Sequence, residues 1–95
     1  LKKELPMIFV CPSEYLKEIT ADALDAHRSW LRAAVSSADV ISAGRRDPAT
    51  GGVIVLRAAD AASAHRFLEG DPFTSGGFAR YDCIGYNPTM GDLQG

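Results

Sequence analysis

The apolar positions along this chain change period repeatedly, and each change marks an expected element. Met7-Ile8-Phe9-Val10-Cys11 is a short β-prone run closed by Pro12, and Ser13 to Ile19 reads as an irregular or weakly helical lead-in. Thr20 is a good N-cap, Ile19 and Leu24 stand at the two positions of a hydrophobic staple, and Asp22 puts negative charge in the first turn. From there Leu24, His27, Leu31 and Ala34 recur at helical spacing, with Trp30 and Val35 widening the stripe, until Ser36-Ser37. Val40 to Arg45 is the second strand, Asp47-Pro48-Ala49-Thr50-Gly51-Gly52 a hairpin turn, and Val53 to Arg57 the third strand. Asp60 caps a short second helix that runs to about Glu69, with Gly70 at C′. Pro72 forces Asp71 out of helical geometry. Phe78 to Asn87 is a fourth strand, and Pro88 to Gly95 a loose tail.

The order β-α-β-β-α-β predicts an α+β, ferredoxin-like domain with two helices on one face of a four-stranded antiparallel sheet. The first and third strands do not alternate. Ile8, Phe9 and Val10 are all apolar, as are Val53, Ile54, Val55 and Leu56. Such runs imply burial on both faces, yet a chain of this length has helix enough for one. The open face is therefore expected to pack on a second copy, as a two-fold homodimer.

Composition narrows the partners. A chain of 95 residues makes one domain, expected over 1–95, with a single modest core. Its net charge of −2 argues against nucleic acid, which needs a basic stripe. The third strand also lacks the exposed aromatics on which RNA-binding ferredoxin-like domains stack bases. No apolar run approaches the roughly 20 residues of a membrane span, and no charged-then-apolar leader is present, so a cytoplasmic location is expected. Cys11 and Cys83 lack CxxC spacing and neighbouring ligands, so no metal site is expected. They read as a reduced, buried pair, with a disulfide open if their strands are neighbours.

Chemistry concentrates in two places. His27 sits on the apolar stripe of the first helix, and imidazole is the side chain whose ordinary pKa lies closest to neutrality. Asp71, in Gly70-Asp71-Pro72-Phe73, is a carboxylate that could fix its tautomer and make it a general base. Each also has a plain role, His27 as a satisfied core histidine and Asp71 as a cap on local N–H groups. No activated nucleophile stands near them: Ser29 lies on another helix face, and Ser42 has no evident base. Acid–base chemistry is expected over acyl transfer. Arg45, Arg46, Arg57 and Arg80 are candidate anion binders, with Arg45 the best placed because the second strand ends near the expected pocket. Phe73 reads as core or pocket wall, and Trp30 as core with a possible place in the pocket lining.

Several motifs in this order resemble the YciI-like (YCII-related, DGPF) family over about residues 7–89. They are His27 with Trp30-Leu31, Ile41-Ser42-Ala43-Gly44, Gly51-Gly52-Val53-Ile54, Asp71-Pro72-Phe73, and Tyr81 with Tyr86-Asn87-Pro88-Thr89. The resemblance implies a dimeric α+β barrel with a pocket on each subunit and a His-Asp dyad falling on His27 and Asp71. By analogy with the family, Ser42 and Gly44 line the pocket. A few relatives act on oxidised aromatic compounds, among them a dehydrochlorinase of a chlorinated hydroxyhydroquinone, and muconolactone isomerases share the architecture. Cys11-Pro12-Ser13-Glu14-Tyr15 departs from the strand-end tyrosine or arginine of many members. The reading is of proton transfer, by isomerisation or elimination, on a small cyclic or aromatic-derived compound, with no cofactor expected. The alternative is a non-catalytic module that binds a small molecule or a protein through the same pocket.

Overall fold

The computed structural model describes residues 6–93; the outermost residues of the domain expected over 1–95 lie outside these. Strand β1 (Met7–Tyr15) leads into helix α1 (Ala21–Ser36), the hairpin β2 (Val40–Arg45) and β3 (Gly52–Ala58), and helix α2 (Ala61–Glu69). A one-turn helix α3 (Pro72–Ser75) and two short strands, β4 (Ala79–Tyr81) and β5 (Ile84–Tyr86), follow. All pairings are antiparallel, in the order β2-β3-β1-β4, with β5 also on β1. This is the ferredoxin-like arrangement with a divided last strand.

Local signals set the helix ends. Thr20 Oγ1 accepts from the Ala23 N–H at 3.1 Å, and Asp60 Oδ1 accepts from the Ser63 N–H at 2.8 Å. Each oxygen satisfies one of the backbone donors that a helix start leaves free. Gly70 is not in the left-handed conformation expected of a C′ glycine: its φ is −76°. The chain enters α3 at once and needs no left-handed exit. What Gly70 supplies is closeness, since a Cβ there would lie 3.3 Å from both the Phe67 carbonyl oxygen and Trp30 Nε1.

Strand β1 does not end at Pro12 but runs through it to Tyr15. A proline lacks one donor, and the register shows where that matters. Ser13 faces Tyr81 and Val10 faces Ile84, so β4 and β5 share a single register on β1. Between them the Asp82 N–H donates to the Pro12 carbonyl at 2.9 Å, but Pro12 has no N–H to return. The missing bond falls where the expected continuous strand Phe78–Asn87 divides.

The core lies between the sheet and the helices: Phe9, Cys11, Ile54 and Leu56 meet Ala34 of α1 and Ala64 and Leu68 of α2. The second face stays open. Val10, Val53 and Val55 are half-buried, and Ile84 and Tyr86 are exposed. The expected α+β barrel is not formed, because β2 on one side and β4 with β5 on the other remain the edges of one open sheet. The apolar runs of β1 and β3 reflect central positions in that sheet, not closure of it.

The β2–β3 turn comes back against β1. Gly51 is buried with its Cα against the carbonyl of Ser13, where an added Cβ would collide with backbone that cannot swing away. Gly51→Ala is expected to cost about 1–3 kcal/mol, as overpacking does, read as a lowered midpoint of urea unfolding. Gly44→Ala, which meets open space, is the control.

Candidate active site

The apolar stripe of α1 divides its work along its length. Ala34 enters the core, but Leu24, His27 and Leu31 are only half-buried. They roof a cavity of about 280 Å³ between α1 and the ends of β1, β2 and β3. His27 stands at the middle of this roof, its side chain 14% exposed.

Asp71 reaches the histidine from the junction of α2 and α3. Gly70 ends α2, and Pro72 at the start of α3 holds Asp71 in extended geometry as N-cap. The Asp71 carboxylate is fully buried. Its Oδ1 accepts from the Phe73 N–H at 3.0 Å, the local capping bond. The same oxygen lies 2.7 Å from His27 Nδ1. Oδ2 accepts from the Tyr81 hydroxyl at 2.6 Å, a length typical of O–H donated to an ionised oxygen. The cap and the histidine partner, two separate readings of the sequence, are thus one group doing both.

The tautomer follows from this geometry. A carboxylate only accepts, so Nδ1 carries a proton, and Nε2 of the neutral ring keeps its lone pair. The adjacent Phe73 fixes the ring from its face, the two rings stacked with centroids 3.9 Å apart and planes at 3°. Asp71-Pro72-Phe73 therefore holds the imidazole by one edge and one face. Tyr15 meets Phe73 edge-on at 6.1 Å and extends the aromatic wall.

Phe73, Gly44 and Arg45 line the cavity, as does Arg28 of α1. Ser42 and Trp30 are not among its lining residues. Ser42 pairs with Val55, whereas Ala43 of β2 faces the cavity. Trp30 packs on Phe67, 5.1 Å between ring centroids. Arg46 donates to the Ser13 carbonyl at 3.0 Å, Arg80 faces Glu14 at 3.4 Å, and Arg57 and His65 are exposed. No group of three or more His, Cys, Asp or Glu side chains among the described residues is placed to hold a metal ion. No helix among them is long and apolar enough to cross a membrane.

Sequence reading missed Ser13, Tyr15 and Tyr81 as cavity residues. Their signal was period two: Phe9, Cys11, Ser13 and Tyr15 share one face once β1 continues past Pro12. Tyr81 lies directly across from Ser13 and shares that face.

Burial, and then its bond to Asp71, pushes the Tyr81 hydroxyl well above the ordinary tyrosine range. An unfolded tyrosine ionises near about pH 10. The stability this shift contributes is therefore complete below that pH and is lost as pH rises beyond it. Urea melts across that range should show Tyr81→Phe losing less stability on going from about pH 8 to 11 than the wild type does.

The family described as YCII-related domain matches residues 5–86. None of the curated proteins matches the chain. Among solved structures, a 5-chloro-2-hydroxyhydroquinone dehydrochlorinase from Burkholderia phenoliruptrix AC1100, in complex with 2,5-dihydroxybenzoquinone, is 20% identical, with a TM-score of 0.66 over 93% of this chain and 99% of that one. At that identity the likeness is one of fold. The family match spans α1, the hairpin and the Asp71-Pro72-Phe73 turn together, and on it the chain belongs to the YCII-related family.

Proposed function

We propose that the cavity is an active site for proton transfer on a small cyclic or aromatic-derived compound, with His27 as the base. The observation that carries this is the 2.7 Å contact between His27 Nδ1 and a fully buried carboxylate, at the roof of a cavity. Nε2 takes a proton from an acidic C–H or O–H, and Asp71 stabilises the imidazolium that results, as in hydrolase triads. The electrons left behind either expel a leaving group, which is elimination, or shift so that the imidazolium returns its proton elsewhere, which is isomerisation. The dehydrochlorinase of the same fold carries out an elimination, which supports the first course.

Leu24, Leu31, Ile54 and Phe73 give the ring of such a compound apolar walls. Arg28 and Arg45 have no acidic partner among the described residues, and no Asp or Glu lines the cavity. They suit an ionised hydroxyl or carboxylate on the substrate. A second copy of the chain covers the open apolar face carrying Val10, Val55, Ile84 and Tyr86; sedimentation at micromolar concentration should show a dimer, and a monomer there refutes this part.

The test of the function is chloride release from chlorinated hydroxyhydroquinones, run beside deuterium uptake from D₂O into ring C–H positions of 2,5-dihydroxybenzoquinone. Catalysed loss of chloride or exchange supports proton transfer. Binding with neither reaction would make the pocket a non-catalytic binding site.

A further inference from the structure

Two thiols lie outside the proposed chemistry, and the register of the last strand brings them together. Cys11 is fully buried, Cys83 is partly exposed, and both are free. Ser13 pairs with Tyr81 and Val10 with Ile84, so the same register sets Cys11 directly opposite Cys83. Asp82 donates to the Pro12 carbonyl, which makes Pro12–Asp82 a hydrogen-bonding position. Its neighbour, Cys11–Cys83, is then a non-hydrogen-bonded pair, the closer kind, with Cα atoms about 4.5 Å apart. That lies just inside the roughly 4.4–6.8 Å range that disulfides span. Both side chains pack on the same core as Phe9 and Leu56. Pro12 leaves this stretch one ladder bond short, which opens the strand edge next to the more accessible thiol.

We infer that Cys11 and Cys83 are a reversible dithiol site, oxidised by a small-molecule disulfide to a cross-strand link that ties β1 to the C-terminal strand beside Tyr81. The Cys83 thiolate attacks one sulfur of the oxidant, forming a mixed disulfide and releasing one thiolate. Cys11 then attacks the Cys83 sulfur, the bond to the oxidant's second half breaks, and the Cys11 proton leaves with that thiol. Two protein thiols lose two electrons and two protons, and the oxidant becomes two thiols. The second step is within the molecule, so the burial of Cys11 does not block it. Burial and the adjacent Cys83 thiol push the Cys11 thiol well above its ordinary range, so ring closure should quicken as pH rises. The site stands whether or not His27 is a base.

The experiment treats the folded protein with oxidised glutathione, follows mass and free thiols, and melts the product. The expected product has lost two hydrogens, carries no glutathione, melts about 10 °C or more higher, and returns to the starting form with dithiothreitol. Cys11→Ser should stop at the mixed disulfide on Cys83, and Cys83→Ser should gain no glutathione. A wild type that stops at the mixed disulfide, stays fully reduced, or links only after unfolding in urea overturns the inference.

Discussion

His27→Ala should lower the rate of the proton-transfer reaction by about 10²–10⁴-fold, the usual contribution of a positioned general base. The loss should fall on kcat, with KM little changed, because the ring exchanges a proton in the transition state while apolar walls and Arg45 hold the ground state. Binding of 2,5-dihydroxybenzoquinone, followed by calorimetry, should survive. The substitution removes one side of the Phe73 stack, so the variant's folding must be verified at the assay temperature. A variant that is folded, binds, and still turns over within a factor of a few would remove His27 from the mechanism.

Asp71→Asn should be nearly as damaging to the reaction, for a different reason. The amide keeps the shape of the carboxylate but brings an N–H₂ group. The oxygen that accepts from the Phe73 N–H is also the one that meets His27 Nδ1, so an amide that keeps it there still accepts from Nδ1–H and turns its N–H₂ toward the Tyr81 hydroxyl. What is lost is the negative charge that stabilises the imidazolium formed when Nε2 takes the substrate proton. The expected loss is again about 10²–10⁴-fold in kcat. Stability should fall by about 1–3 kcal/mol, since one of three donors around the site loses its acceptor. Asp71→Ala, which strands all three, should cost about 3–5 kcal/mol. The contrast separates roles: Asp71→Asn should keep most of the stability lost in Asp71→Ala while recovering none of the activity.

What could be read from the chain alone was whatever depends on neighbours in sequence. Thr20 and Asp60 cap their helices because capping needs only a side chain within three residues of the donor it meets. Asp71-Pro72-Phe73 was legible as a turn for the same reason, and its carboxylate as a candidate because so little else in the chain is reactive. The pairing of Asp71 with His27 crosses 44 positions, and the resemblance pointed to it more than any periodicity did. Pro12 misled: a proline normally ends a central strand, but here its absent N–H costs a single ladder bond toward Asp82. With β1 cut short, Ser13 and Tyr15 went unseen as cavity residues, and Tyr81 with them. The barrel failed for a larger reason. It came from the resemblance and not from any local pattern, and no periodicity reports whether the edges of a sheet meet.

Asp71 should hold His27 in the tautomer that frees Nε2. Long-range ¹H–¹⁵N correlation of the His27 ring tests it most directly, at a pH where the ring is neutral. The wild type should show the proton on Nδ1, and Asp71→Ala, which removes the acceptor, should shift it toward Nε2. A wild-type ring protonated on Nε2, or a tautomer indifferent to Asp71→Ala, would remove Asp71 from that role.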